Sequence, residues 1–272
     1  MSTISLEHGG RTVVDGVDAL VVAGWTGRDS AAVEHHVREL EALGVAPPST
    51  VPLYYRVAAS LLGHARAIEV VGGDTSGEAE PLLVRAADGA LWLGVASDHT
   101  DRALESRSVA LSKQICAKPC ARGLWRFDDV AERLDALELR AWIAEDAALV
   151  DAPGDAAGWT LYQEGTLAAI RPLAELLDAS PLGTLAGGAA DRSSDRTDAV
   201  PNDASHPGRT GRDDRSGPDA NARRGAAAML CGTLPALGGV RPAAAFRAEL
   251  ADPANDARLE LRYAVRALPE VS

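Results

Sequence analysis

The segment TSGEAEPLLV, residues 75–84, places two glutamates immediately before an apolar run. The run has the composition of a buried β-strand, and in extended backbone residues i and i+2 point to the same side. Glu78 and Glu80 would then lie side by side, where two anions repel each other, more strongly when buried. A divalent cation would remove this repulsion, because Mg²⁺ and Ca²⁺ take carboxylate oxygens as ligands. For an isolated E-x-E pair, the alternative interpretation is a solvated turn that leads into a strand.

The composition indicates a globular protein, and its charge favours a small-molecule ligand over nucleic acid or a membrane. The chain has 272 residues, 46% of them hydrophobic, which is enough for a sizeable core. A net charge of −12 argues against nucleic acid or an anionic membrane as the main partner. We find no apolar run as long as a membrane span. An odd number of cysteines, three, favours reduced thiols and a cytoplasmic protein.

The apolar pattern predicts a β-rich α+β chain. The clearest helix is DSAAVEHHVRELEALG, residues 29–44, with a capping residue at its start and Gly44 at its end. Short apolar runs broken by Gly and Asp predict antiparallel strands between Ile68 and Val95. The alternating segment ARLELRYAVRALP, residues 257–269, predicts a final strand.

One stretch differs in character from the rest of the chain. Residues 184–228 contain no aromatic residue and are rich in Gly, Asp, Arg, Ser and Pro. Such a composition buries too little apolar surface to offset the entropy of ordering, which predicts a disordered insertion. Long insertions in surface loops cost little, so we expect a single domain, 1–272, that carries this one.

Further polar residues form small groups that could take part in catalysis or binding. His36 and Glu39 stand at i and i+3 of the early helix, where a carboxylate can orient an imidazole as a general base. Asp98 follows an apolar strand and could complete a cation site, with Arg102 available for an anionic substrate. A surface His–Glu pair and a helix N-cap are the corresponding alternatives.

The two lysines also stand out. Among the 27 basic residues only Lys113 and Lys118 are lysines, and both lie in SKQICAKP. A lysine retained in an arginine-rich chain suggests a need for a compact point charge, although chance is the alternative. The turn CGTLPALGG, residues 231–239, can present backbone N–H groups and a hydroxyl to a ligand, or be an ordinary loop.

The order of these motifs resembles the fumarylacetoacetate hydrolase superfamily. Its members carry a helical H-x-x-E, an E-x-E, an N-D-x-[ST]-x-R, a lysine segment ending in Pro, and a T-G-T-P-x-G turn. The similar segments here are HVRE, GEAE, SDHTDR, KQICAKP and CGTLPALGG, with PLYYR similar to P-x-x-F-x-K and YQEGT similar to R-Q-x-G-N-T. The departures are Arg56 for a lysine, Ser97 for an asparagine, Cys116 for an aspartate, and the additional Leu234.

The resemblance implies a mixed β-roll or sandwich with flanking helices, assembled as a homodimer. It implies that Mg²⁺, or Mn²⁺ or Ca²⁺, is bound by Glu78, Glu80 and Asp98. Of the two lysines it favours Lys113. The residue roles that it implies are catalysis by His36, Glu39 and Lys113, and substrate binding by Arg56, Arg102 and Thr233.

The implied activity is that of a metal-dependent enzyme acting on 2-oxo or 2,4-dioxo carboxylic acids through a metal-bound enolate. Hydrolysis of a carbon–carbon bond in acylpyruvate-like acids is the first choice. A decarboxylase, hydratase or isomerase would use the same residues. Two alternatives differ in kind: a non-catalytic small-acid-binding protein, and a zinc site built from His99 and the three cysteines, for which buried thiols are the simpler interpretation.

Overall fold

The computed structural model describes residues 2–42, 47–152, 156–182 and 225–271. The strands are β1 (Ser2–His8), β2 (Arg11–Val17), β3 (Ala19–Gly24), β4 (Leu53–Val57), β5 (Leu62–Gly63), β6 (Ala67–Val71), β7 (Thr75–Ser76), β8 (Ala79–Arg85), β9 (Leu91–Ser97), β10 (Thr100–Asp101), β11 (Lys118–Pro119), β12 (Trp125–Arg126), β13 (Glu138–Ala144), β14 (Thr160–Thr166), β15 (Ala227–Leu230), β16 (Ala245–Asp252) and β17 (Ala257–Leu268). The α-helices are α1 (Ser30–Ala42), α2 (Arg102–Glu105), α3 (Val109–Ile115), α4 (Phe127–Val130) and α5 (Leu173–Ala179). This content confirms the predicted β-rich α+β fold with flanking helices.

Two larger sheets organise these strands. One has six strands in the order β12-β9-β8-β15-β3-β4, and the other has five in the order β14-β13-β16-β17-β6. In the first sheet β15 pairs antiparallel with β8 and parallel with β3. Two-stranded pairs β1-β2, β7-β10 and β5-β11 complete the arrangement. The sheets are mixed, as the predicted β-roll or sandwich requires.

The six-stranded sheet is buried on both of its faces. On β8, Leu83 belongs to the main core, which also contains Leu139 and Tyr263 of the five-stranded sheet. The neighbouring Leu82 and Val84 belong to a second core with residues of the β1–β2 hairpin. This arrangement explains the uninterrupted apolar run at residues 81–84, since a strand covered on both faces does not alternate.

One edge of the six-stranded sheet gathers several strand ends. Because β8 and β9 are antiparallel, the start of β8 lies beside the end of β9, with Ala79 opposite Ser97. The end of β15 lies at the same edge, since Leu230 pairs with both Leu82 and Val22. Residues that follow or precede these ends are thereby brought together, although they are far apart in the sequence.

The sequence-based element predictions have mixed outcomes. Helix α1 begins where predicted, and Asp29 caps it by accepting hydrogen bonds from the backbone N–H groups of residues 31 and 32. The antiparallel prediction is confirmed for β8 and β9 but is wrong for β6, which pairs parallel with β17. Most of the predicted insertion lies outside the described residues, and β15 begins at Ala227, inside its predicted end. None of the described helices has the length and hydropathy of a membrane span.

Candidate metal centre

Three carboxylates meet where β8 begins and β9 ends, at one edge of the six-stranded sheet. Oxygen atoms of Glu78, Glu80 and Asp98 lie within 4.8 Å of one another, and no other group of this kind occurs among the described residues. Glu80 is 2% exposed and Asp98 is fully buried, whereas Glu78 keeps a partly accessible side chain. Glu78 and Glu80 flank Ala79 in extended backbone and so point to one side, as their spacing predicted.

Backbone contacts hold these acids in place. The N–H of Asp98 donates to the carbonyl of Glu78 at 2.9 Å, which ties the end of β9 to the start of β8. The N–H of Gly232, just after β15, donates to Oε2 of Glu80 at 2.7 Å. Gly232 has φ +101°, a region that favours glycine, and a Cβ there would collide with the Thr26 hydroxyl.

Gly77 allows the chain to approach the core just before the first carboxylate. A Cβ on Gly77 would lie 2.5 Å from the hydroxyl of Tyr263 and 2.7 Å from the ring of Phe246. Both aromatic side chains are buried in the five-stranded sheet. The absence of a side chain at residue 77 therefore sets how closely Glu78 approaches the centre.

Asp98 pairs with both lysines of the chain. The ammonium of Lys113, on α3, donates a very short hydrogen bond to Oδ2 of Asp98. Nζ of Lys118 lies 3.2 Å from Oδ1 of the same carboxylate. The sequence analysis favoured Lys113 and missed the second contact, although the shortage of lysine in the chain was the signal that could have revealed it.

Arg102 extends the centre on the side of Glu78. Its Nη2 lies 3.3 Å from Oε1 of Glu78, its Nη1 donates to Glu105 at 2.7 Å, and its Nε donates to the Ser76 hydroxyl at 2.7 Å. Nη2 is buried, and it donates no hydrogen bond within the described residues. The predicted N-cap also exists, but Asp101 provides it by accepting from the N–H of Leu104.

The electrostatics of the three acids differ. Burial raises the pKa of Glu80 well above its usual range, and the charges of Asp98 and Glu78 raise it further. Burial also acts to raise the pKa of Asp98, but Lys113 and Lys118 outweigh it and lower that pKa to about 2. Glu80 is therefore the acid whose negative charge is least compensated by the protein.

A buried polar group lies behind the centre. Nδ1 of His99 is 3.0 Å from the hydroxyl of Tyr263, and its Nε2 is 2.9 Å from that of Thr75. Burial and the nearby cations Lys118 and Arg102 lower the pKa of His99 to about 3, so the imidazole is neutral. The Tyr263 hydroxyl also lies 2.8 Å from Oγ of Ser97. These contacts fix the chain on both sides of Asp98.

Thr233 contacts protein groups at the same edge. Its hydroxyl donates to the carbonyl of Ala79 at 2.8 Å and accepts from Nε2 of Gln163 at 2.7 Å. Oε1 of Gln163 accepts the N–H of Ala79 at 2.8 Å. Thr233 and Gln163 thus support the strand that carries Glu80. The hydroxyl proton of Thr233 is therefore donated within the protein. A ligand-binding role for Thr233 stays a prediction.

Arg56 is not brought into the cluster. Arg56 pairs with Val21, whose side chain lies in the main core, so Arg56 belongs to that face of the sheet. Glu80 shares the opposite face with Leu82. Arg56 is exposed and forms no ion pair within the described part of the chain. Tyr55 points to the face of Glu80 instead, and burial raises its pKa, partly offset by a hydrogen bond from Trp25 and by the charge of Lys113.

The predicted general base lies on α1. The backbone of His36 and Glu39 belongs to this helix, as predicted. Their side chains lie outside the described residues, so their predicted roles stay predictions. Spacing of i and i+3 on an α-helix does place the two residues on one face.

The zinc alternative is not supported by the described residues. All three cysteines are free and buried, and none belongs to a group of ligands suited to a metal. The ring nitrogens of His99 both contact hydroxyl groups. Burial raises the pKa of the Cys116 thiol to about 11, which disfavours the thiolate that zinc binds.

The arrangement suits a hard divalent cation. Three buried or half-buried carboxylates converge, and carboxylate oxygens are the ligands that Mg²⁺, Mn²⁺ and Ca²⁺ prefer. The raised pKa of Glu80 is the expected mark of acids placed together without enough positive charge around them. By donor type, spacing and electrostatics, the residues fit such an ion.

Comparison with known proteins gives one family match and several structural likenesses. A family model described as "Protein of unknown function (DUF2848)" matches residues 23–191 and 214–263. No curated protein sequence matches the chain. A yeast protein of the fumarylacetoacetate hydrolase family has a similar structure, with a TM-score of 0.52 and 11% identity over 94% of this chain and 95% of that one.

Two further similar structures have enzymatic names. The 5-carboxymethyl-2-hydroxymuconate delta-isomerase from Mycobacterium smegmatis has a TM-score of 0.50 and 12% identity, over 94% of this chain and 80% of that one. A 2-keto-3-deoxy-D-arabinonate dehydratase, complexed with magnesium and 2,5-dioxopentanoate, has a TM-score of 0.50 and 12% identity, over 93% and 75%. At such identities these likenesses establish the fold, which is that of the fumarylacetoacetate hydrolase proteins.

Proposed function

Since the chain belongs to the family described as DUF2848 and has the fumarylacetoacetate hydrolase fold, we propose that it is a divalent-metal-dependent enzyme acting on 2-oxo or 2,4-dioxo carboxylic acids. Hydrolysis of a carbon–carbon bond in an acylpyruvate-like acid is the reaction that we put first. The observation that carries the proposal is the convergence of Glu78, Glu80 and Asp98 at one sheet edge.

The charge of the centre supports a carboxylic acid as substrate. When all groups are ionised, four carboxylates, those of Glu105 and the three converging acids, face the cations Arg102, Lys113 and Lys118, which leaves one excess negative charge. A divalent cation would reverse the sign of this total. The centre would then attract an anion, and repel one without the cation, so substrate binding should depend on the metal.

Arg102 is the residue best placed to bind the substrate carboxylate. Its buried Nη2 forms an ion pair with Glu78 at 3.3 Å but no hydrogen bond among the described residues, so it can still donate one to a ligand. A substrate carboxylate could accept that hydrogen bond. The other two nitrogens, Nε and Nη1, hold the guanidinium rigidly through Ser76 and Glu105, which keeps Nη2 in a fixed direction.

The remaining roles complete the proposed chemistry. A bound divalent cation supplies Lewis-acid polarisation of the oxo group. Lys113, charged because its ammonium faces Asp98, would stabilise negative charge that develops on the substrate. His36, oriented by Glu39, would take a proton from the attacking water. Decarboxylation, hydration or isomerisation could use these same residues, because each places negative charge at the same oxygen. Assembly as a homodimer stays a prediction.

The test is a substrate screen with purified protein. A panel of 2-oxo and 2,4-dioxo acids would be incubated with Mg²⁺ or Mn²⁺ while the ultraviolet absorbance of the enol and oxo forms is followed. We expect turnover of at least one acid that a chelator abolishes. Asp98→Asn should lose this turnover, whereas Glu69→Gln, an acid-to-amide change at an exposed position of β6, should retain it.

The outcomes separate the two kinds of function. Metal-dependent binding of an intact acid without turnover would favour a small-acid-binding protein. Turnover that is unchanged by the chelator and by Asp98→Asn would contradict the proposed centre.

A further inference from the structure

We propose that Lys118 is a positioning residue that orients the carboxylate of Asp98 toward the metal. Lysine is scarce in this chain, two among 27 basic residues, and both lysines contact this one buried carboxylate. The proposal rests on the metal centre of the proposed function and concerns a residue that the motif comparison did not assign.

The ammonium of Lys118 has no freedom left. Its side chain is fully buried, and Nζ lies 2.7 Å from the carbonyl oxygen of His99, 2.9 Å from that of Cys116 and 3.2 Å from Oδ1 of Asp98. The two carbonyls accept hydrogen bonds from the ammonium, whereas the contact with Oδ1 of Asp98 is an ion pair without hydrogen-bond geometry. The position of Nζ is therefore set by the backbone rather than by the carboxylate.

Lys113 differs in each of these respects. Its side chain is 8% exposed, and within the described residues its ammonium donates only to Oδ2 of Asp98. Nothing in the backbone fixes it there. Both lysines place an ammonium beside the same carboxylate, but only that of Lys118 is also held by backbone carbonyls.

The two backbone carbonyls that hold Lys118 are themselves fixed in place. The His99 carbonyl belongs to a residue whose ring is fixed by Tyr263 and Thr75, and the Cys116 carbonyl ends α3. Lys118 also pairs with Leu62 in the β11–β5 ladder. Attraction between the fixed ammonium and Oδ1 limits rotation of the carboxylate about its Cβ–Cγ bond, and Oδ1, which accepts no hydrogen bond within the described residues, stays available to a metal ion. Partners of this kind commonly set the orientation of metal ligands.

The sign of the effect on metal affinity separates positioning from simple charge. Removing a cation beside three carboxylates should tighten the binding of a divalent ion if charge alone matters. Removing a group that orients a ligand should weaken the binding instead. Losses of 10–100-fold in metal affinity are typical for outer partners of metal ligands.

The experiment compares Lys118→Met with Lys113→Met. Both variants remove one ammonium from Asp98 and keep a long apolar side chain. Mn²⁺ affinity would be measured by electron paramagnetic resonance of the free ion and by calorimetry, and folding by circular dichroism. We expect Lys118→Met to bind Mn²⁺ at least 10-fold more weakly than Lys113→Met, and Lys113→Met to bind no more weakly than the wild type.

Other outcomes would overturn the inference. Equal or tighter binding by Lys118→Met than by Lys113→Met, with the wild type binding normally, would contradict the positioning role alone. Failure of the wild-type protein to bind Mn²⁺ would overturn both this inference and the proposed function. Should Lys118→Met not fold, a crystal structure of the wild type with Mn²⁺ decides, since Lys118 released from Asp98 in that structure would refute the role.

Discussion

Replacing Glu80 by glutamine should stabilise the protein in the presence of a chelator. The substitution removes a negative charge from a group of acids that burial holds together, and it keeps an oxygen to accept the N–H of Gly232. Sites built for function commonly carry such a cost in stability. The gain should reverse when a divalent cation is added, because the wild type would then bind the ion and the variant would have lost a ligand.

The geometry sets the magnitude. Two unit charges 4.8 Å apart, the outer limit for this group, repel by about 3.5 kcal/mol at an effective dielectric constant of ~20. Glu80 has two such neighbours, Glu78 and Asp98, and the attraction of Lys113 offsets roughly one of them. Protonation of Glu80 relieves part of the remainder. We therefore expect a gain of about 1–3 kcal/mol, which corresponds to roughly 2–4 °C in melting temperature per kcal/mol for a chain near this size.

The dependence on pH provides the decisive check. A carboxyl group with a raised pKa in the folded state weakens folding only above its unfolded pKa, 4.5 for glutamate, and the penalty grows as pH rises toward the folded pKa. The advantage of Glu80→Gln should therefore be present at pH 8 and vanish near pH 4.5. Urea unfolding with a chelator, followed by circular dichroism, measures it. Glu69→Gln, the same change on an exposed position of β6, is the control. A Glu80→Gln protein less stable than the wild type at pH 8 would refute the reasoning.

Two further predictions concern the surroundings of the centre. Gly77→Ala should destabilise the fold by about 1–3 kcal/mol and weaken Mn²⁺ binding, since its Cβ would lie 2.5 Å from the hydroxyl of Tyr263 and the chain must shift; unchanged unfolding and Mn²⁺ titration would contradict this. The three buried thiols should not react with a thiol reagent in the native protein at pH 8, because burial raises the pKa of Cys116 to about 11 and also raises those of the other two. All three should react after denaturation, and one fast-reacting thiol in the native protein would show that a cysteine is accessible.

The sequence predicted the acids of the centre because their signals are local. Glu78 and Glu80 share a side through the two-residue period of a strand, and Asp98 follows an apolar run that ends at the same edge. Their convergence needs only one antiparallel pair, β8 and β9, which the pattern of short strands also predicted. Local periodicity was sufficient here because the pairing partner is the next strand in the chain.

The residues that sequence reasoning missed depend on contacts between distant segments. Lys118 reaches Asp98 because the turn after α3 folds back beside β9, and the spacing of the two lysines does not indicate that both contact one carboxylate. Arg56 shows why a motif match alone does not place a side chain. Its substrate-binding role stays a prediction, and the pairing of β4 with β3 turns its side chain to the face of the sheet opposite Glu80. A shift of one residue in register reverses which side chain faces a site.

The central position of β15 has a consequence for how the chain can be divided. The segment from Gly225 onward supplies β15 between β8 and β3, and also β16 and β17 in the middle of the other sheet. A chain cut before this segment would yield two fragments that each lack inner strands, and only their reassociation would rebuild both sheets. The amide of Gly232 that binds Glu80 arrives with the smaller fragment, so complementation of the two pieces would also restore the acidic cluster.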